Sequence, residues 1–375
     1  MINFNKKLFL AIITAFAGIG NIALAEDNVQ YPNISGRVLF ELEGDRITST
    51  DKKGVSSTDA HIAIDPFIDL NINKNWSVKT HFRLDSMTDE MRNKTYPERY
   101  RYFLSPNREV HIDDEGLIIE EIKGQFENED LKFFFGKFNP SFGTAWRDEK
   151  RIGVFSTEFT RDYEMREKIG LGLSALLENS ELTINGFFND TTGLSNSGLE
   201  RRGRAHRASG IAGDTGTLSS YSITLEGKNF LGLEDLFYNF GYRKLDVENI
   251  AGRKAEEGFV GGAEYLFPIG VDSSLIPFIE AAQINNLSGE QDRNVLYLTA
   301  ALIFKYSGWN LSISHIVRDI KQNSGIGNVT DSQLQYSAGY KFKNNVSVDV
   351  TRMNLRENHN EAVIVGAMVS YFYEF

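Results

Sequence analysis

The chain has 375 residues, 40 Lys and Arg against 51 Asp and Glu, a net charge of -11 and no cysteine. Without thiols there is no disulfide scaffold, thiolate metal site, c-type haem attachment, thiol nucleophile or lipid-modified N-terminal cysteine, and the acidic balance opposes non-specific nucleic-acid binding, so no nucleic-acid partner is expected. The 33 Gly, 27 Phe and 15 Tyr beside only 7 Pro favour strands over helical bundles.

Residues 1–25 read as a secretory signal peptide. Lys6 and Lys7 form its positive start, Leu8 to Ile19 its short apolar stretch, and Ala23-Leu24-Ala25 its small-residue cleavage site. That apolar stretch is shorter than the roughly 20 residues a membrane-spanning helix needs. Period-2 alternation then runs along the chain. Strands are predicted over 34–43, 60–72, 76–85, 116–127, 131–138, 168–177, 181–190, 218–226, 236–246, 257–267, 275–285, 294–306, 308–318, 332–343, 345–355 and 362–375. Segments 116–138 and 275–285 alternate poorly. Elsewhere the two faces are distinct. In 60–72, Ile62, Ile64, Ile68, Leu70 and Ile72 oppose Asp65, Asp69 and Asn71. In 345–355, Val346, Val348 and Val350 oppose Ser347, Asp349 and Thr351.

The connections alternate in length. Long ones fall at 44–59, 86–115, 139–167, 191–217, 247–256 and 319–331, with shorter ones at 286–293 and 356–361. Tight ones fall between them, at Asn73-Lys74-Asn75, Asn128-Glu129-Asp130, Glu178-Asn179-Ser180, Ser307 and Asn344. One rim therefore carries long loops and the other short turns, with both termini on the short-turn rim. Membrane barrels are built this way. The expected fold is an all-β transmembrane antiparallel barrel of about sixteen strands over 26–375. Two further features put lipid outside. Bulky charges such as Lys79, His81, Arg83 and Lys341 sit opposite rows of aliphatics. Trp76, Tyr306, Trp309, Phe342, Tyr371 and Tyr373 cluster near the short-turn ends, where an interfacial aromatic girdle belongs.

The C-terminal run Val369-Ser370-Tyr371-Phe372-Tyr373-Glu374-Phe375 resembles the signature of bacterial outer-membrane proteins. That resemblance implies recognition of Tyr371, Tyr373 and Phe375 by the barrel assembly machinery. The segment Phe135-Gly136-Lys137-Phe138-Asn139-Pro140-Ser141-Phe142-Gly143 resembles a segment of bacterial porins, including the phosphate-selective ones. Porin resemblance implies an outer-membrane location in a Gram-negative bacterium, contact with lipid and lipopolysaccharide, passive diffusion of small hydrophilic solutes or ions, and assembly as a homotrimer.

Catalytic motifs are absent: no His-Glu-x-x-His, Gly-x-Ser-x-Gly or phosphate-binding loop occurs. The six histidines (His61, His81, His111, His206, His315 and His359) are not spaced as metal pairs. No enzyme activity and no cofactor are expected. The alternatives are an adhesin or interaction protein using its long loops, and a barrel hydrolase. The basic run Arg201, Arg202, Arg204, His206 and Arg207 suits anion or lipopolysaccharide contact at the outer rim, or is a solvated loop. The loop 139–167 is the candidate constriction. It follows the fifth strand, the place from which general porins fold a loop inward. It carries Arg147, Asp148, Glu149, Lys150, Arg151, Glu158, Arg161, Asp162 and Glu164. Opposed charges across a narrow pore bias ions. On the wall, Lys79, His81 and Arg83 share one face, as a basic track or as partners of Asp65 and Asp69.

Overall fold

The computed structural model describes residues 30–55, 58–86, 104, 115–147, 153–155, 157–199, 207–323 and 327–375. The signal segment 1–25 and Arg201, Arg202, Arg204 and His206 lie outside them. Sixteen long strands follow in order: β1 (Asn33–Thr50), β2 (Thr58–Asn71), β3 (Trp76–Ser86), β4 (Glu115–Glu127), β5 (Leu131–Phe138), β6 (Lys168–Leu177), β7 (Ser180–Asn189), β8 (Ser220–Lys228), β9 (Leu236–Leu245), β10 (Glu256–Tyr265), β11 (Ser273–Asn285), β12 (Asn294–Tyr306), β13 (Trp309–Lys321), β14 (Val329–Lys341), β15 (Val346–Glu357) and β16 (Asn360–Glu374). Each pairs antiparallel with the next, and β16 pairs back onto β1 from Arg37↔Glu374 to Thr50↔Ala362. The sheet is thus a closed barrel with no free edge. A two-residue strand, Gly198–Leu199, extends the sheet at the long-loop end of β4. Among the described residues no helix is long and apolar enough to cross a membrane.

The barrel is inside out relative to a soluble protein. On β11, Ile279 is 62% exposed and its neighbour Glu280 only 2%. On β9, Phe240 is 50% exposed and Asn239 5%; on β15, Val350 is 51% and Thr351 6%. Successive side chains point to opposite faces of a strand, so the aliphatic row faces outward and the polar row inward. A contiguous apolar exterior of this kind is stable only against hydrocarbon. Trp76, Tyr306, Trp309, Phe342 and Tyr371 are all exposed near the short-turn rim. Trp309 and Phe342 each pack against Tyr340.

Strand positions match the sequence reading to within a few residues, except at the long-loop rim. There β1 runs on to Thr50, β13 to Lys321 and β14 back to Val329. The expected loops 44–59 and 319–331 shrink to 51–57 and 322–328. The connection expected at 356–361 is the turn Asn358-His359, both residues at positive φ. The polarity pattern inverts toward this rim, in the extensions, where Ile47, Ile320 and Val329 are buried, and in the ends of the predicted strands beside them. Inward-facing Ile47, Ile316, Met353, Leu355 and Ile364 are buried against Phe155 and Phe159 of the 139–167 loop. Outward-facing Arg352, Asn354 and Arg356 are exposed.

Candidate functional site: the inward loop and the wall it faces

The loop 139–167 leaves β5 through a clamped neck. Strand pairing stops at Phe138, before Pro140, which has no amide hydrogen to continue the ladder. Gly143 then takes φ +74°, a left-handed turn that a side chain would resist. The buried Lys137 ammonium lies 2.7 Å from Glu167 at the far end of the loop and 2.9 Å from Asp190. Asn139 joins the same neck. Its Oδ1 accepts from the Glu167 amide at 2.7 Å, and its own amide donates to Glu121 at 2.8 Å. Its Nδ2 donates to Glu120 at 3.2 Å. Glu120 and Glu121 both reach this point because of a β-bulge. The β3–β4 register steps from His81↔Glu121 to Phe82↔Ile119, leaving Glu120 as the extra residue. That bulge also accounts for the poor alternation of 116–127.

From the neck the loop crosses the lumen. Strand β13 is halfway round the sixteen from β5, and the Asp162 carboxylate accepts from Arg318 Nη1 on β13 at 2.9 Å. Tyr297 on β12 donates to the same carboxylate at 3.0 Å. Arg318 is held further by Asp331 at 2.6 Å and Glu357 at 3.3 Å, and its guanidinium lies over the Phe159 ring. On β11, Glu280 accepts from the Thr144 amide at 2.6 Å, the Ala145 amide at 3.0 Å and the Tyr163 hydroxyl at 2.7 Å. On β14, Gln335 accepts from the Phe155 amide at 2.8 Å. A Cβ on Gly366 of β16 would collide with the Phe155 ring. The β9 guanidinium of Arg243 donates to the Tyr163 carbonyl and stacks over Phe142. Phe142, Tyr163 and Met165 are buried with Val260, Ala282 and Tyr297 of the wall. The apolar inner face of β11, which spoilt alternation in 275–285, is the seat of this loop.

The opposite wall, β2 to β4, carries a row of alternating charge. Asp69 meets Lys79 at 2.7 Å; Asp65 meets His81 at 3.4 Å and Arg83 at 3.3 Å. Of the two sequence readings for Lys79, His81 and Arg83, pairing with β2 carboxylates is the one present. The row continues into the loop: Arg83 to Glu120 at 3.9 Å, Glu120 to Arg166 at 3.9 Å, Arg166 to Glu164 at 2.7 Å. The His81 ring stacks on Phe67 at 3.9 Å, and the Arg37 guanidinium lies over the same Phe67 ring at 4.4 Å.

The candidate residues of the loop therefore divide. Glu164 joins the charged row. Arg161 is partly exposed. Arg147 points to the short-turn side and pairs with Glu226 of β8 at 2.6 Å. Asp162 is corrected: it is 1% exposed and turned to the wall, an anchor rather than a pore-facing charge. Burial pushes its carboxyl up to about 6 despite Arg318. Burial and the Glu280 carboxylate raise the Tyr163 hydroxyl well above its ordinary value, so it stays a donor. Asp148, Glu149, Lys150, Arg151 and the side chain of Glu158 lie outside the described residues. Glu120, Glu226, Arg243, Glu280 and Arg318 were missed from sequence. A lone charge in an apolar, poorly alternating strand was the available signal for Glu280. Among the described residues no group of His, Asp and Glu is arranged to hold a metal ion.

No family model and no curated protein matches the chain. Solved structures do. OmpF of Salmonella typhi, in complex with daunomycin, is 11% identical with a TM-score of 0.60, over 91% of this chain and 98% of that one. The outer membrane channel DcaP of Acinetobacter baumannii is 10% identical with a TM-score of 0.56, over 93% and 100%. OpdL of Pseudomonas aeruginosa is 11% identical with a TM-score of 0.52, over 92% and 99%. The chain has the fold of outer-membrane porins.

Proposed function

We propose that the protein is an outer-membrane porin of a Gram-negative bacterium, passing small hydrophilic solutes and ions by passive diffusion. The observation that carries this reading is the combination of an apolar exterior, a polar interior and a long loop tied across the lumen. The narrowest passage is then the gap between the loop 139–167 and the wall β2–β4. It excludes by size, and its facing charges order water and bias ions. On the loop side Asp148, Glu149, Lys150, Arg151, Glu158, Arg161 and Glu164 supply the field, while Arg147, paired with Glu226, acts from the short-turn side. On the wall side Asp65, Asp69, Lys79, His81 and Arg83 supply it. No cofactor or covalent step enters this mechanism. Lipid and lipopolysaccharide surround the barrel, Tyr371, Tyr373 and Phe375 present it to the assembly machinery, and three copies associate.

Single-channel recording of refolded protein in planar bilayers is the test. Stepwise ohmic conductance is expected. Neutralising Arg147, Lys150 and Arg151 together shifts the reversal potential toward cations, and neutralising Asp148, Glu149 and Glu158 shifts it toward anions. A folded barrel that never conducts refutes the porin reading. Conductance indifferent to all six changes moves the constriction elsewhere.

A further inference from the structure

The outer face of the barrel carries guanidinium groups where aliphatics are expected. Arg46 of β1 and Arg352 and Arg356 of β15 point outward and are exposed. On the inner face, Arg83, Arg243 and Arg318 each meet a carboxylate. Outside, Arg46 and Arg352 have no carboxylate and no hydrogen-bond acceptor among the described residues. Arg352 has Tyr336 as its cross-strand partner on one side and Val365 on the other. Arg46 has Val365 and Thr58. Arg356 differs, because it faces Glu361 across the β15–β16 pair.

Val365 is thus flanked by both unpaired arginines. They stand two strand spacings apart, roughly 9.6 Å, and both long side chains can swing over Val365 to meet one anion. Their level along the strands is defined. Tyr371, in the short-turn girdle, pairs with Val346 and with Phe40, and each arginine lies six residues beyond its own member of those pairs, toward the long loops. Beyond Arg352 the outward positions of β15 are Asn354 and Arg356, so the apolar exterior of that strand ends at the arginine. On the far side of the barrel the corresponding boundary is aromatic, with Tyr242 packed between Tyr221 and Phe259. A charge facing lipid is costly at the midplane and tolerated at headgroup level, and unpaired guanidinia at that level complement phosphate, which they can grip bidentately. Directly below the arginines, Ala60, Gly44 and Ala367 are neighbours across β2, β1 and β16, a low strip that leaves room for an acyl chain.

We propose that Arg46 and Arg352, with the Tyr336 hydroxyl beside them, bind the phosphate headgroup of an outer-leaflet lipid whose chain lies over Gly44 and Ala367. The proposal rests on the outer-membrane reading for which lipid the site meets. Native mass spectrometry of refolded protein in detergent uses bisphosphorylated lipid A as the probe, with diacylglycerol, which lacks phosphate, as the control. Lipid A is retained as a one-to-one adduct, diacylglycerol is not, and millimolar inorganic phosphate does not displace the lipid. Arg46→Gln with Arg352→Gln weakens lipid A at least tenfold, the loss of charge-assisted contacts. Lys244→Gln, on the outer face of β9, leaves it unchanged. Arg352→Gln alone repeats the test should the pair fail to fold, and Arg352→Lys, which keeps the charge, binds better than Arg352→Gln. Lipid A binding indifferent to the arginine changes, equal retention of diacylglycerol, or displacement by inorganic phosphate overturns the lipid site. So does an arginine pair variant that loses its oligomer and keeps its lipid A, which makes this face a contact between copies. Bilayer recording on the same preparation separates the two readings. Conductance with lipid A binding indifferent to the arginine changes removes the site and leaves the porin. Arginine-dependent lipid A binding without conductance does the reverse.

Discussion

Replacing Glu280 with glutamine should unfasten the inward loop while leaving the barrel intact. The carboxylate accepts five hydrogen bonds. Oε2 takes the Thr144 amide, the Thr144 hydroxyl and Asn239 Nδ2; Oε1 takes the Ala145 amide and the Tyr163 hydroxyl. A glutamine must put its NH2 in one of these positions. The less costly choice is Oε1, because the Tyr163 hydroxyl can rotate to accept, whereas the Ala145 amide cannot. That leaves one charge-assisted bond lost with two donors facing each other, about 1.5–3 kcal/mol. The population of released loop then rises roughly 10- to 100-fold. The strand ladder is untouched, so folded barrel yield should match wild type. Single-channel traces should show added open-channel noise and excursions to higher conductance, and limited trypsin treatment should cut near Arg147 sooner. Glu280→Leu, which strands all five donors, should do so more strongly. If Glu280→Gln gives traces and proteolysis indistinguishable from wild type, the loop is not held by this carboxylate and the anchoring argument fails.

The two strand faces should differ in their tolerance of charge. Val350→Arg, on the lipid side, should cost roughly 2–4 kcal/mol near the bilayer midplane, whereas Ser347→Arg, on the lumen side, should fold and change conductance; equal urea midpoints would mean the faces are misassigned. Deleting Phe375 should lower outer-membrane yield and leave periplasmic or degraded chain, read by fractionation and blotting. Asp162 gives a pH signature. Its folded pKa, about 6, lies above the roughly 3.9 of an unfolded aspartate, so in that window the folded state binds more protons. Its contribution therefore grows as pH falls from 7 through 6 and levels off below about 4. The wild-type melting temperature relative to Asp162→Asn should rise from pH 7 to pH 5; a difference that stays flat or falls contradicts the burial of this carboxyl.

The barrel was legible because its physics is local. Each strand that spans lipid must show one apolar face, and Ile62, Ile64, Ile68 and Leu70 on β2 or Val346, Val348 and Val350 on β15 show it without reference to any other residue. The site was less legible because its residues answer to partners far away in sequence. Arg318 and Asp162 are 156 positions apart, and Glu280 meets Thr144 across 136. The neck depended on a bulge at Glu120, and a single inserted residue in one strand looks from sequence only like a break in alternation.

The same local rule also explains where the reading failed. Alternation reports which medium each face touches, and it was read as though the inner medium were always water. Where the loop lies against the wall, the inner medium is Phe155 and Phe159, so Ile316, Met353, Leu355 and Ile364 turn inward and the polar row moves outside. An inverted stretch at the long-loop end of a barrel strand thus marks the footprint of whatever fills the lumen beside it. In β11 the footprint contains one charge, Glu280, between Phe278 and Ala282. A carboxylate is kept in such a place only if donors are brought to it. The loop brings them through the backbone of Thr144 and Ala145, whose amides need no particular side chain. The wall thereby fixes the loop's path even where the loop sequence is free to vary, leaving its remaining charges available to the passage between Glu164 and the β2–β4 row.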